Sequence, residues 1–498
     1  MVVLLAKLKQ EFIGDIIQYS QIKSWDIGDT IYIKGPTGSG KSFFVTSYLA
    51  SHCRQENKKI LWISNRELLK NQNTKASLQD LDIITTINYQ KIESYILNNK
   101  RPVHYDYIVA DECHYFFNDA AFNKKTDLTF KWLLSRKDCI KILCSATGNL
   151  TETYLEHMDV NIIKYELQQN YNYINNFYFY DKDKVITNML SELPADEKAI
   201  YFTSAKKAYD TSELLKNIEI DASFICSKNK SNYKTYSNNE IKEYIIQNEM
   251  FDCQVLCTTS VLDNGVNIKD KAVKHIIIDY FDLDTVQQCF GRKRILDDSE
   301  SINIYIKNRR NKSLNGTKRD YIKKIEQVEY LKENGQVKFI DNYKKKHYSN
   351  MIDIVNDKND LAKVRHNKMM YYKCKCELSA IEEMMATKDG YVQAVLERFD
   401  WQAKKYKILD NEIDSITIND WLNKHIDKKM FKDKQKEFKK FLLEQLLNAP
   451  KASHGKLGLK SINALFDDNG LNYTLSSKEE NSRKSENWKK TYWIISKS

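Results

Sequence analysis

The segment Gly35-Pro36-Thr37-Gly38-Ser39-Gly40-Lys41-Ser42 constrains this chain more than any other. It follows the apolar run Ile31–Lys34 and precedes a helix-compatible stretch, Ser42–Leu49, so it reads as a turn from a strand into a helix. Three of the chain's 14 glycines fall within these eight residues. Glycine lets successive backbone N–H groups turn inward, and the start of a helix adds its positive end, so the turn can cradle an anion. The spacing G-x-x-x-x-G-K-[ST] is the P-loop pattern, in which Lys41 reaches the β- and γ-phosphates of a nucleoside triphosphate and Ser42 ligates Mg2+. In so glycine-poor a chain, a chance glycine-rich turn is a poor account of it.

The rest of residues 1–300 supplies a matching framework. Apolar runs of three to six residues recur at Ile31–Lys34, Ile60–Ile63, Tyr107–Ala110 and Ile140–Cys144, then at Ala199–Thr203, Val255–Cys257 and His275–Asp279. Helix-length segments separate them, the arrangement expected of parallel strands in α/β units. Two series predict two sheets, with the polar stretch 168–176 as the linker between them. Asp111-Glu112-Cys113-His114 directly follows Tyr107–Ala110. A carboxylate at the carboxyl end of a strand, in the sheet that carries the P-loop, can reach the metal. Asp111 is therefore the second candidate Mg2+ residue, Glu112 the candidate base for an attacking water, and His114 a candidate sensor of the γ-phosphate.

P-loop, DECH and Ser145-Ala146-Thr147, in that order and each after an apolar strand, resemble the superfamily-2 helicases of the DExH kind. Further segments match in sequence. Ile60–Leu68 with Arg66 and Gln72 resembles the strand-plus-PTRxL segment, and Thr85–Gln90 the TxxxYQ-like one. Ala199–Ser204 resembles the first strand of the second motor lobe, Thr258–Ile268 the T-S-V-x-x-x-G-[IV]-D-I segment, and Gln288–Arg294 the Q-x-x-G-R motif. The resemblance spans about residues 25–300. It implies two RecA-like parallel-sheet domains in tandem, binding ATP and Mg2+ at their seam. Gly35 to Ser42, Gly265 and Asn267 would contact the nucleotide. Gln288, Arg292 and Arg294 would meet the γ-phosphoryl, one arginine acting as a finger. Arg66, Thr85, Thr203 and Thr259 would bind nucleic-acid phosphates, contacts that carry no base information. Asn267 stands where the family usually has Asp, which weakens the expected link between its loop and the arginines. Which arginine is the finger stays open, and Trp25 is either a base-stacking or a core residue.

Beyond residue 306 lysine-rich helical stretches dominate, such as Lys428–Gln445. The order helix (Phe438–Leu447), helix (Leu459–Phe466), strand (Asn472–Ser476), strand (Thr491–Ser496) matches a winged helix. The boundaries expected are 1–167 and 168–305 for the two RecA-like lobes, 306–435 for a helical basic accessory region and 436–498 for the winged helix. The net charge is +11, but residues 301–498 hold 41 Lys and Arg against 27 Asp and Glu, whereas residues 1–300 hold 37 against 40. A basic carboxyl-terminal part on a motor points to a polyanion, with Lys460, Arg483 and Lys484 as candidate contacts. Basic–aromatic stretches at Tyr343–Tyr348 and Lys428–Lys440 read equally as phosphate contacts or solvated helix faces.

No apolar run approaches the roughly 20 residues that span a bilayer, and the ten cysteines lack zinc spacing, so a cytosolic chain with buried thiols is expected. The expectation overall is an ATP-driven helicase or translocase, acting on DNA rather than RNA and on duplex or forked substrates. A nucleotide-gated clamp that hydrolyses ATP without unwinding is the alternative. The second motif set, at 199–294, disfavours a P-loop kinase or transporter ATPase.

Overall fold

Strands form where the short apolar runs place them. The computed structural model describes residues 11–64, 83–100, 103–147, 149–226, 232–260, 267–297, 299–343, 348–356, 362–402, 404–409, 419, 421–445, 458–468, 471–482 and 485–497. Arg66, Gln72, Gly265, Arg483 and Lys484, and most of the Tyr343–Tyr348 stretch, lie outside these residues.

The first sheet has six strands in the order β3 (Ile84–Ile87), β2 (Ile60–Ile63), β4 (Tyr107–Ala110), β5 (Ile140–Ser145), β1 (Thr30–Lys34), β6 (Ile163–Glu166). Each neighbouring pair is parallel. The central strands β2, β4 and β5 are buried along their whole length, as helices on both faces of a parallel sheet require, while the edges β3 and β6 are largely open. Side chains alternate between the faces. Ile31, Ile33, Trp62, Val109 and Ile142 pack with Phe44, Val45 and Leu49 of the helix that leaves the P-loop. Tyr32, Leu61, Ile63, Ile108 and Leu143 face the opposite layer of aromatics, Tyr89, Phe116, Phe117 and Phe130.

The second sheet has seven strands in the order β15 (Tyr406–Ile408), β7 (Ile174–Tyr180), β12 (Ile302–Lys307), β11 (Val273–Ile278), β8 (Lys198–Phe202), β10 (Val255–Thr258), β9 (Ala222–Ile225). Its central pairs are again parallel. Two α/β sheets in tandem followed by a mainly helical region is the architecture the sequence predicts. The linker stretch is shorter than expected, because Ile174 already opens β7.

The helical region is built into the core of the first lobe. A long helical segment, Asn311–Tyr343, is broken at Gly335 (φ 75°) and is followed by the hairpin β13 (Ile352–Asn356) and β14 (Ala362–His366) and the helix Lys368–Ala386. Val328, Leu331, Phe339, Met369, Met370 and Cys374 join the aromatic layer of the first sheet. Asn367 fixes the start of that last helix, accepting from the amides of Met369 and Met370 and donating to Asn123 O and Thr126 Oγ1.

The chain divides into two compact units, residues 1–177 with 189–406, and residues 178–188 with 407–498. In the second, the helices Lys432–Gln445 and Leu459–Asp468 precede an antiparallel hairpin, β16 (Tyr473–Glu479) and β17 (Thr491–Lys497). Its core takes in Leu422 and Met430 beside Phe438, Leu442, Ile462, Phe466 and Trp493, so the apolar cluster starts ahead of residue 436. No described helix is long and apolar enough to cross a membrane.

Candidate nucleotide site

The P-loop hangs between β1 and the helical segment 41–55, whose middle, Phe44–Leu49, widens into a π turn. Gly38 and Gly40 hold φ of 91° and 82°, a region that residues with a Cβ rarely enter. Lys41 is buried and curls back into its own loop, donating from Nζ to Gly35 O (2.7 Å) and Pro36 O (3.0 Å). Those two carbonyls hold the ammonium against its own loop.

Asp111 and Glu112 follow β4 at the same edge of the sheet. Asp111 is buried, and its Oδ1 accepts the Glu112 amide at 3.0 Å. Glu112 adopts φ 52°, an uncommon conformation for a non-glycine residue and one that recurs at functional sites. Its Oε2 lies 3.4 Å from His114 Nδ1. His114 Nδ1 is 3.1 Å from Ser145 Oγ, which accepts the Thr147 amide at 3.2 Å. Thr147 Oγ1 in turn accepts from Gln288 Nε2 at 3.3 Å. A continuous polar chain therefore leads from the DECH segment through the SAT segment to the second lobe.

Arg294 closes the seam. Its Nη1 donates to Thr37 O inside the P-loop, while Nε and Nη2 donate to Asn267 Oδ1 at 2.9 and 2.7 Å. A Cβ on Gly38 would come within 2.8 Å of that guanidinium, and one on Gly291 within 3.1 Å of Thr37 Oγ1, so both glycines permit the approach. Asn267 keeps a link to Arg294, one amide oxygen serving two guanidinium donors without the charge a carboxylate would add. Arg292 is buried, with its backbone paired to Ile268. Lys293 forms a buried pair with Glu300 at 2.5 Å. Of the two candidate arginines, Arg294 is seen to reach the P-loop with its guanidinium.

The other sequence candidates distribute unevenly. Thr85 is exposed on edge strand β3. Thr203 and Thr259 directly follow β8 and β10 but are buried, and Tyr280 Oη donates to Thr203 O. Lys460 is exposed on its helix. Trp25 belongs to the core, its Nε1 donating to Tyr165 Oη at 3.2 Å. Tyr89 has a role that sequence reasoning missed: its hydroxyl donates to Asp111 O at 2.7 Å, bracing the metal-candidate strand end. The available signal is the Tyr-Gln pair at 89–90, which enters the sequence reading only as part of the TxxxYQ-like segment. Burial, reinforced by the nearby carboxylates, pushes the thiols of Cys113 and Cys144 well above their usual range, so both are neutral core groups beside the site. Among the described residues no group of three or more His, Cys, Asp or Glu converges on a metal position. The two sequence candidates for Mg2+, Ser42 and Asp111, are hard oxygen donors of the kind that ion takes, alongside phosphate and water.

No family model matches the sequence, and no curated protein does. Among solved structures the chain is similar to S. cerevisiae Dbp5 bound to RNA and ADP BeF3, at 17% identity over 56% of this chain and 78% of that one, with a TM-score of 0.40. It is also similar to Mss116p, lacking its NTE and C-tail and bound to ssRNA and AMP-PNP, at 16% identity over 57% of this chain and 67% of that one, with a TM-score of 0.41. What the chain does has to be argued from its own geometry.

Proposed function

We propose that the chain is an ATPase that couples ATP hydrolysis to movement along, or unwinding of, nucleic acid. The observation that carries this reading is Arg294 of the second lobe donating into the P-loop of the first while Asn267 steadies it. A triphosphate between the lobes would meet the Gly35–Ser42 cradle and Lys41 on one side and a guanidinium on the other, the arrangement that stabilises charge building on a transferred phosphoryl group. Ser42 and Asp111 would hold Mg2+, which supplies charge neutralisation between the phosphates. Glu112 would take the proton of the attacking water. Because the Arg294 and Gln288 contacts both cross the seam, occupancy of the site favours closed lobes, and product release favours open ones.

The polymer is argued from the second unit. Trp488 is half exposed at the tip of the β16–β17 hairpin, with Lys489 Nζ 4.8 Å from its ring and Lys490 beside it. An aromatic ring among ammonium groups suits base stacking and phosphate contact. The helix, helix, hairpin order favours duplex DNA as the form recognised. The test is ATP turnover against single-stranded, duplex and forked DNA and RNA. Stimulation by a nucleic acid, loss of turnover in Lys41→Ala, and a stable nucleotide-bound state in Glu112→Gln are expected. Full activity in Lys41→Ala would remove the site assignment. Strand release from a fork separates a motor from a clamp that hydrolyses ATP in place.

A further inference from the structure

Lys373 stands where three parts of the first unit meet through a single side chain. It lies in the first half of the helix Lys368–Ala386, is buried, and has Nζ 3.1 Å from Asn118 Oδ1, 3.1 Å from Asp282 Oδ2 and 3.3 Å from Glu377 Oε1. An ammonium has three donors, and three acceptors surround this one. Asn118 ends the short helix Tyr115–Asn118 that follows Asp111–His114 in the first lobe. Asp282 is the N-cap of the helix Leu283–Phe290 in the second lobe, its Oδ1 accepting from the amide and hydroxyl of Thr285 at 2.7 and 2.8 Å. That helix carries Gln288 and leads directly to Arg294.

The attachments around Lys373 differ in kind. On the first-lobe side the helix is anchored by packing, with Met369, Met370 and Cys374 in the core cluster of the sheet. Towards the second lobe the accessory region combines buried side chains, Val392, Val395, Leu396 and Phe399 among them, with a set of polar bonds. Arg309 pairs with Asp279 at 2.6 Å, Arg398 donates to Gln287 Oε1 at 2.8 Å and pairs with Asp284, and Tyr391 Oη donates to Tyr280 O at 3.1 Å. Rings add to this, with Tyr391 stacked on Phe281 and Phe399 against Phe290. Among these groups Lys373 alone bonds to both lobes. A dispersed apolar contact can slide, but a buried ammonium bonded in three directions has one low-energy position, because displacing it leaves charges unpaired.

We propose that Lys373 is a positioning residue of the candidate ATPase site: by binding Asn118 and Asp282 together it sets the closed register of the lobes, so that Gln288 and Arg294 face the P-loop. This rests on the function proposed above, but its first readout does not. Lys373→Met keeps the length of the side chain and removes the donors. Asn118→Ala cuts only the first-lobe end. Lys373→Arg keeps a cation. Lobe separation is followed by energy transfer between dyes placed through non-natural residues at exposed positions 137 and 216, with and without a non-hydrolysable ATP analogue and Mg2+.

The expected result is that Lys373→Met and Asn118→Ala both close less with the analogue, and that Lys373→Arg closes more than Lys373→Met. In steady state kcat falls on the order of 10- to 100-fold in Lys373→Met, while KM for ATP, set by the first-lobe cradle, changes by less than about threefold. If Lys373→Met does not fold, Asn118→Ala carries the test alone. Normal closure in the variants overturns the proposal, whatever happens to the melting temperature. A wild-type protein that closes on the analogue but never hydrolyses ATP removes the ATPase reading. If its closure still depends on Lys373, the positioning role stands.

Discussion

Two arginines two residues apart are indistinguishable in a sequence, and only the fold separates Arg292 from Arg294. Arg292 is buried, whereas Arg294 is seen to cross to Thr37. Arg294→Ala should therefore lower kcat by about 10²- to 10³-fold with little change in melting temperature, and Arg292→Ala should first cost stability. Steady-state kinetics beside thermal melts of both variants decide between these assignments. Charges buried by folding were the least legible features, because an isolated Glu or Lys in a helix reads as solvated. Glu377 is such a case: burial, opposed by Lys373 and reinforced by Asp282, raises its pKa from 4.5 to about 7. A carboxyl raised on folding contributes stability that is present below its unfolded pKa and is lost as pH climbs through the folded value, here between about 4.5 and 7. Glu377→Gln removes that loss. Relative to wild type it should gain melting temperature at pH 8, by an amount on the order of 1 kcal/mol or more in stability, and the gain should vanish near pH 4.5. A variant less stable than wild type at pH 8 would mean that the bond to Lys373 outweighs the cost of burial.

At the scale of elements, the α/β series was legible because buried parallel strands are continuous apolar runs, and each of the seven runs forms a strand. The strands that escaped notice include ones with polar or edge character, although β12 is largely buried inside its sheet. Of Ile84–Ile87 only Thr85 is singled out in the sequence, as a phosphate contact, and both threonines of the strand are exposed on an edge. β6 alternates lysine and glutamate, and Lys34 bridges to Glu166 across the pair. The fusion of the helical region to the first lobe was not legible either, since amphipathic spacing says which face is buried and never against what. One turn in that region has no freedom. Gly390 opens the helix Gly390–Arg398 where a Cβ would lie 2.0 Å from Met384 O, a backbone atom of the preceding helix. Gly390→Ala must therefore push the two helices apart, and it should destabilise the protein by roughly 1–3 kcal/mol or more, visible as a lower melting temperature. An unchanged melt would show that the helix pair tolerates separation.

For the whole molecule, charge and shape assign different work to different parts. The candidate nucleotide site, the polar chain through Thr147 and the Lys373 junction all fall within residues 1–177 and 189–406, whereas the half-exposed tryptophan with its lysines belongs to the other compact unit. The basic excess after residue 300 was visible in composition, but composition could not say which lysines share a surface. Replacing Trp488 by Ala, Lys490 by Gln and Lys489 by Asn, a residue that tolerates the φ of 63° found there, leaves the hairpin ladder intact. Each phosphate contact releases counterions, so losing two ammonium groups should flatten the dependence of log affinity on log salt by about 2, and losing the stacked ring should weaken binding a further 10-fold or so. ATP turnover without nucleic acid should not change, because no group of the seam is touched. Binding isotherms at several salt concentrations, set beside basal turnover, test both halves together. If the salt slope stays the same while affinity falls, the hairpin acts through its ring, and the phosphate contacts have to be sought on other basic faces, such as the one around Lys460.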